Sequence, residues 1–109
     1  MYIAIRRYQM VESASVDEVL QRVKDGFIPI IKDGPGFLAY YVLDSGGGTV
    51  TSVSIFEDRE GAEASVSGAA EWVRENLASL FPNSPEIIAG EVGAHELNLP
   101  KLGVREVTE

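Results

Sequence analysis

Trp72 and the residues around it form one group of side chains that could bind a small organic molecule. Residues 62–81 carry apolar side chains at helical spacing, and Trp72 lies at the edge of this apolar stripe. Ser65, Gly68 and Asn76 share its side of the expected helix. Small side chains beside a large aromatic ring can leave a cavity between helix and sheet that suits a flat aromatic ligand. The alternative is that Trp72 fills the core and its small neighbours allow tight packing.

Arginine and tyrosine side chains in two expected strands form a second group. Hydrogen bonds to a carbonyl or phenol could come from Tyr8, Tyr40 and Tyr41. Either Arg6 or Arg7 could hold an enolate or a carboxylate. Strand alternation places Arg6 with Tyr8 on one face and Arg7 on the other. The sequence leaves open which face points toward the helices, and an arginine at an interface or rim is the alternative.

His95 is the only histidine, and histidine is the usual general base near neutral pH. It lies near the end of the last expected strand, beside Glu96, where a solvent-facing or interface position is the alternative. Glu91 in the middle of that strand would be functional if it points inward and merely solvated if it points outward. Because the chain has no cysteine and only this histidine, we expect no metal and no cofactor.

The composition excludes several classes of protein. A chain of 109 residues has room for one domain. Its formal net charge of −8 disfavours nucleic acid and anionic membranes as partners, since both attract basic faces. The N-terminal segment lacks the pattern of a signal peptide, and no apolar run approaches the roughly 20 residues of a membrane span. We therefore expect a cytoplasmic protein.

The first half of the chain predicts a strand, a helix and a hairpin. Residues 2–8 are rich in β-branched and aromatic side chains, as in a strand. Ser15 and Glu18 have the spacing of a capping box that begins a helix, and Gly26 predicts a kink or break in it. Two further strands, residues 37–43 and 49–56, follow with a glycine-rich turn between them.

The second half predicts another helix and a fourth strand. Asp58 is placed to cap a helix whose apolar stripe runs to Phe81, and residues 87–97 read as the last strand. The order is βαββαβ, which predicts an α+β, ferredoxin-like fold: a four-stranded antiparallel sheet with both helices on one face. We expect the domain to span residues 1–97, followed by a tail at residues 98–109.

The second strand is apolar on both faces. Strand alternation places Phe37, Ala39, Tyr41 and Leu43 on one face and Leu38, Tyr40 and Val42 on the other. The chain is too short to supply another layer over the second face. We therefore expect a second copy to cover it, giving a homodimer packed sheet against sheet. An exposed patch of the size that many monomers tolerate is the alternative.

The ordered set of motifs resembles the antibiotic-biosynthesis monooxygenase-like family. The matching pieces are residues 27–29, 35–37, 40–41, 52–58, 71–73 and 90–92. The resemblance implies a dimeric α+β barrel and oxidation of aromatic polyketides without metal or flavin. It also implies that Trp72, with Asn76 and Arg74 nearby, belongs to a substrate pocket. Haem-degrading relatives have a histidine on that helix and an asparagine in the first strand, which this chain lacks, so haem chemistry is not expected.

Two hypotheses about function follow. The first is a cofactor-independent monooxygenase acting on a small aromatic or phenolic metabolite, with Trp72, Asn76 and a first-strand arginine in the pocket. The second is a non-catalytic, dimeric small-molecule-binding or stress-associated protein that shares only the fold. A closed apolar cavity of roughly several hundred Å³ beside Trp72 would favour a ligand site, and a filled core there would favour the second hypothesis.

Overall fold

A computed structural model describes residues 1–102 and has four strands and two helical arms. The elements in chain order are β1 (Tyr2–Gln9), α1 (Val16–Arg22), a π-helical segment (Val23–Phe27), α2 (Ile28–Ile31), β2 (Phe37–Gly46), β3 (Thr49–Phe56), α3 (Arg59–Asn76) and β4 (Glu86–Glu91). The sheet order is β2-β3-β1-β4 and every neighbouring pair is antiparallel. This is the predicted α+β, ferredoxin-like arrangement.

The first helical arm begins at a serine cap and changes its winding near Gly26. The Ser15 hydroxyl accepts a hydrogen bond from the Glu18 N–H at 3.3 Å, as expected. The Glu18 carboxylate does not accept the second capping-box hydrogen bond, from the Ser15 backbone N–H, because it pairs with Arg22 at 2.8 Å. The π-helical segment contains Gly26, so the irregularity predicted there takes the form of i→i+5 hydrogen bonds within a continuous helical path.

A bulge in β2 overturns the predicted assignment of its faces. β3 alternates strictly, with its even-numbered side chains buried against the helices. Phe37 lies opposite Phe56, but the register then shifts, so that Tyr40 faces Ser54 and Val42 faces Ser52. Phe37 therefore packs on the helix side with Tyr40 and Val42 instead of pointing away from them.

The second helix is shorter than its apolar stripe predicts. Asp58 Oδ1 accepts from the Gly61 N–H at 2.9 Å and caps α3, as expected. The helix ends at Asn76, not near Phe81. Leu77 and Phe81 continue into the core from a turn, because the N–H groups of Leu80 and Phe81 both bond the Leu77 carbonyl. Because Leu77 and Phe81 are buried without being helical, the apolar stripe overestimated the length of the helix.

The last strand also ends early. β4 stops at Glu91, six residues before the predicted end, because β1 begins at Tyr2, directly opposite Glu91. One more backbone hydrogen bond, from the Val92 N–H to the Met1 carbonyl, is the last between these two segments. His95 therefore lies after the strand and not within it. The division into a domain and a tail at residue 97 stays a prediction, and residues 103–109 of that tail lie outside the described residues.

The face of the sheet turned away from the helices is apolar and uncovered in a single chain. It carries Tyr41 and Ile88, which are 51% and 68% exposed. The register adds these neighbours to the same face: Ile3, Ile5, Ala39, Leu43, Val53 and Ile55. Within the described part of the chain, each helix is too short or too polar to traverse a lipid bilayer.

Candidate functional site: a chamber around Arg6

Arg6 lies on the helix-facing side of the central strand β1 and is only 1% exposed. Its Nε donates to Ser52 Oγ and one terminal nitrogen donates to Ser54 Oγ, both at 3.1 Å. The other terminal nitrogen donates to the backbone carbonyl of Ser65 in α3 at 3.4 Å. Paired strand registers bring these groups together, because Arg6 lies directly opposite Ser52. The arginine is therefore fixed between sheet and helix and is not at a rim.

The buried guanidinium has only neutral partners. Four ion pairs occur among residues 1–102, and none of them includes Arg6. Arginine stays protonated at any physiological pH and brings five N–H groups. Burying a charge without a counter-ion is unfavourable, so hydroxyl and carbonyl dipoles compensate it only in part. The chamber has a positive centre in otherwise apolar surroundings.

Two tyrosine hydroxyls enter the same chamber. Tyr8 shares the inward face of β1 with Arg6, and Tyr40 reaches in from β2. Burial raises the pKa of both hydroxyls above 10.0, and the Arg6 charge opposes that rise without cancelling it. Both phenols consequently remain protonated near neutral pH and can donate hydrogen bonds. Of the arginines and tyrosines named from the sequence, the fold brings Arg6, Tyr8 and Tyr40 together, and Tyr41 lies on the outer sheet face.

Aromatic rings form one wall of the chamber. Phe27 stands 5.6 Å from Trp72 and 5.5 Å from Tyr40, measured between ring centroids. The Arg6 Cζ lies 6.0 Å from the centroid of the Phe27 ring, which is within the range of a cation–π contact. The space left between these groups, which we call the inner chamber, is about 20 Å³. That is room for about one water molecule, far below the several hundred Å³ that would mark an open ligand cavity.

A second space, here called the outer groove, lies on the other side of Phe27. It has a volume of about 150 Å³ and runs between the first helical arm and α3. Ser65 and Gly68 line this groove and not the chamber beside Trp72. The expected cavity next to small residues therefore exists, but Phe27 separates it from the tryptophan.

Several predicted site residues lie elsewhere. Asn76 is exposed, and its amide donates to the Trp72 carbonyl of its own helix at 2.9 Å. His95 is exposed beyond the end of β4. Glu91 is exposed and pairs with the N-terminal amine of Met1 at 3.4 Å. Arg7 is exposed on the outer sheet face and pairs with Glu86 at 3.0 Å. None of these side chains reaches the inner chamber.

Sequence reasoning missed the two serines that hold Arg6. Ser52 and Ser54 are buried, between the buried Val50 and Phe56 of the same strand. The period-two pattern of β3 already placed these four side chains on one face. Two hydroxyls on the buried face of a strand require polar partners, which is a signal for a buried donor across the sheet. Among residues 1–102, no three His, Asp or Glu side chains group as metal ligands.

Comparison with known proteins gives one family match. A family model described as antibiotic biosynthesis monooxygenase matches residues 1–70, more than half of the 109-residue chain. No match was found among curated protein sequences.

Solved structures share the fold over most of the chain. NE2512 from Nitrosomonas europaea, a protein of unknown function, has a TM-score of 0.72 at 22% identity, covering 89% of this chain and 93% of that one. A monooxygenase from the ActVA-Orf6 gene of Streptomyces coelicolor, in complex with nanaomycin D, has a TM-score of 0.70 at 19% identity, covering 89% and 91%. A mutant of SnoaB, a cofactor-independent oxygenase from Streptomyces nogalater, has a TM-score of 0.64 at 10% identity, covering 86% and 94%. At these identities the likeness establishes the fold.

Proposed function

Because the chain belongs to the antibiotic biosynthesis monooxygenase family, we propose that it is a cofactor-independent monooxygenase acting on a small aromatic or phenolic molecule in the inner chamber. The observation that carries the proposal is the lining of that chamber. A buried arginine, the buried phenol of Tyr8 and the partly buried phenol of Tyr40 converge there among aromatic and aliphatic side chains. Few polar groups in an apolar site are typical of small-molecule binding.

The proposed reaction needs only the substrate and dioxygen. A substrate with two removable hydrogens would be oxidised, one oxygen atom entering the product and the other leaving as water with those hydrogens. The substrate would give a proton to bulk water before it enters, so that it binds as an electron-rich enolate or phenolate, which transfers electrons to dioxygen. Arg6 would stabilise the negative oxygen, and the Tyr8 and Tyr40 hydroxyls would donate hydrogen bonds to it. The apolar walls would keep water away from the reactive intermediate.

The small volume of the inner chamber requires that a substrate displace a side chain. Phe27 is the ring shared by the inner chamber and the outer groove, whose volumes are about 20 and 150 Å³. A turn of this ring toward the groove would join the two spaces. We therefore propose that the substrate enters through the groove and takes the place of the Phe27 ring beside Trp72.

The second candidate function is a non-catalytic, dimeric small-molecule-binding or stress-associated protein. The small inner chamber favours it, and so does the position of Asn76 outside the chamber. Oxygen uptake separates the two functions. A panel of phenols and hydroxynaphthalenones would be incubated with the protein and followed with an oxygen electrode. Uptake that depends on the folded protein supports the oxygenase, and binding without uptake supports the second candidate.

The uncovered apolar sheet face supports a proposed homodimer packed sheet against sheet, with the architecture of a dimeric α+β barrel. Val53 and Ile55 lie near its centre, and Tyr41 beside Val53 is half exposed. Covering such a surface is favourable in proportion to its apolar area. Sedimentation velocity at micromolar concentration tests this: we expect a dimer that Val53→Lys dissociates. A monomeric wild-type protein would remove the proposal. The cytoplasmic location likewise stays a prediction, which cell fractionation would check.

A further inference from the structure

We infer that the molecule bound in the inner chamber carries an oxyanion, on a carboxylate or a phenolate, that pairs with the Arg6 guanidinium. The rest of the molecule is a flat apolar body that lies beside the Trp72 ring, in the place of the Phe27 ring. The inference rests on the proposed function only in placing the ligand in this chamber. It adds that the ligand is already an anion when it binds, and that a carboxylate can take the place of the phenolate that the proposed reaction uses.

The charge of Arg6 carries the argument. Three hydrogen bonds engage its three nitrogens, and all three acceptors are neutral oxygens. A guanidinium has five N–H groups, so two remain beyond these three bonds, and the Tyr40 hydroxyl, another neutral oxygen, lies within hydrogen-bond range of the guanidinium. Buried charges in proteins are normally paired, and an unpaired one is a large penalty. A ligand oxyanion would supply the missing counter-ion and use the remaining donors.

The positions of the two serines explain why the arginine is rigid enough to select a ligand. Ser52 and Ser54 hold the Nε and one terminal nitrogen, so the guanidinium plane is fixed against β3. The Ser65 carbonyl holds the other terminal nitrogen from the α3 side. A guanidinium that is held from both sides presents its remaining N–H groups in a fixed direction. This arrangement suits the paired oxygens of a carboxylate.

The rest of the lining describes the body of the ligand. Apart from Arg6, the polar side chains of the chamber are Ser52, Tyr8 and Tyr40. The other ten lining residues are aliphatic or aromatic, Phe27, Trp72, Leu77 and Phe81 among them. Such a site solvates one charged end and leaves the remainder in apolar contact. A second charged group on the ligand would have no partner here.

The route to Arg6 passes Phe27. The Phe27 ring lies over the guanidinium at 6.0 Å, and the same ring lines the outer groove. Ser65 lines that groove, and its carbonyl accepts a hydrogen bond from Arg6, so the groove lies next to the charge. An aromatic acid that enters the groove can therefore reach the guanidinium when one ring turns aside. In the absence of ligand, the cation–π contact with Phe27 partly compensates the charge.

The first experiment compares ligands that differ in charge and little in shape. Benzoate, benzamide, 4-nitrophenol and nitrobenzene would be titrated into the full chain. Trp72 is the only tryptophan, so its fluorescence reports on the chamber, and calorimetry gives the affinity independently. We expect at least about tenfold tighter binding of benzoate than of benzamide, because hydrogen bonds to a charged partner are the stronger ones. Binding of 4-nitrophenol should tighten as pH rises through the pKa of the probe itself.

The two anionic probes distinguish carboxylate from phenolate. Preference for benzoate assigns the carboxylate, and preference for 4-nitrophenolate over nitrobenzene assigns the phenolate. Equal affinity for charged and neutral probes, or no binding by either anion, would overturn the inference.

Variants of the two neighbouring arginines supply the control. Arg6→Gln should remove the preference for anions, whereas Arg6→Lys should keep part of it because the charge remains. Arg7→Gln lies on the opposite face of β1 and should leave every affinity unchanged. If Arg6→Gln fails to fold, the Arg6→Lys and Arg7→Gln proteins still decide the question. An unchanged benzoate preference in Arg6→Gln, or a loss of that preference in Arg7→Gln, would overturn the inference.

Oxygen uptake by the same samples separates this inference from the proposed activity. Anion-selective binding without oxygen uptake by any bound phenol would leave the inference in place and remove the oxygenase. Oxygen uptake with a neutral substrate that binds as tightly as its anion would support the oxygenase and overturn the inference.

Discussion

The indole of Trp72 lies directly against the backbone of Gly26. A Cβ atom added to Gly26 would stand 2.8 Å from Cζ2 of the indole and 3.4 Å from Cε2. Gly26 belongs to the π-helical segment, and the next residue, Phe27, forms the partition between chamber and groove. The missing side chain thus lets the first helical arm approach α3 closely enough for Trp72 and Phe27 to meet.

Replacing Gly26 with alanine should therefore displace the Trp72 ring. A contact of 2.8 Å is shorter than side chains tolerate, so the indole must move or the helical arm must shift. We expect a net loss of up to about 2 kcal/mol in the free energy of unfolding, since overpacking costs about 1–3 kcal/mol and alanine returns about 1 kcal/mol in helix propensity. Urea unfolding measures the loss, and a shifted Trp72 emission maximum reports the displacement.

Gly68→Ala is the matched control. Gly68 is a glycine inside α3 with no atom within 4 Å of its added Cβ. The same substitution should therefore stabilise the protein by about 0.5–1 kcal/mol and leave the Trp72 emission unchanged. Equal effects of the two substitutions would contradict the close contact between Gly26 and the indole.

The arginine at the centre of the chamber should reduce stability. Substituting Arg6→Met together with Ser52→Ala and Ser54→Ala replaces a buried polar cluster with apolar side chains of similar extent. Such replacements are often neutral or stabilising by about 1–4 kcal/mol, because the charge no longer has to be desolvated. We expect the triple variant to unfold at the same or a higher urea concentration than the wild type.

The single variant Arg6→Met is the comparison for the triple variant. Arg6→Met alone leaves two buried hydroxyls without their donor, each worth about 1–3 kcal/mol, and should be less stable than the triple variant. A triple variant clearly less stable than the wild type would indicate that the cluster serves folding, which removes the reason to seek a ligand as its counter-ion.

Much of the fold was predictable because local chemistry agreed with the tertiary structure. Alternation in β3, the Ser15 and Asp58 caps and the helix irregularity at Gly26 all lie where the pattern placed them. Each of these features depends on neighbours close in sequence. Strand alternation also placed Arg6 and Tyr8 on one face, although it left open which face that is and did not join Tyr40 to them.

The predictions that were wrong concern features that are set by residues distant in the sequence. A bulge after Phe37 reverses its face, and nothing in that strand alone marks the extra residue. The end of β4 depends on where β1 begins, and the position of Ser65 relative to Trp72 depends on Phe27 standing between them. The burial of Arg6 was left open, because a lone arginine is far more often exposed.

The roles predicted for Trp72 and Asn76 should separate on mutation. Asn76→Ala removes an exposed hydrogen bond to the helix backbone and should change stability by less than about 0.5 kcal/mol, with no change in ligand affinity. Trp72→Phe removes part of the chamber wall and should weaken binding of benzoate several-fold. Calorimetry on both variants is the measurement, because it does not depend on the tryptophan signal. Weaker binding in Asn76→Ala than in Trp72→Phe would restore the asparagine to the site.

Phe27 should control the rate at which ligands enter. Phe27→Leu keeps an apolar side chain but removes the ring that separates the inner chamber from the outer groove. The association rate of benzoate, followed by stopped-flow Trp72 fluorescence, should rise severalfold while the preference for the anion persists. Phe37→Leu changes another aromatic residue of the helix-facing side, one that contacts Phe56 instead of either space, and should leave the rate unchanged. Equal rates in wild type and Phe27→Leu would exclude this ring as the partition.

Alkaline pH should destabilise the protein through the Tyr40 hydroxyl. Its pKa in the folded chain is raised by burial, with the Arg6 charge opposing, so above pH 10 the unfolded chain loses a proton that the folded chain retains. The free energy of unfolding is therefore unaffected by this group below pH 10 and falls as pH rises toward its folded-state pKa. Each such tyrosine contributes a slope of at most about 1.4 kcal/mol per pH unit. Urea unfolding between pH 9 and pH 11 should show a shallower decline in Tyr40→Phe than in the wild type. A decline of equal steepness in Tyr40→Phe and wild type would mean that the Tyr40 hydroxyl is not held in the apolar chamber that surrounds Arg6.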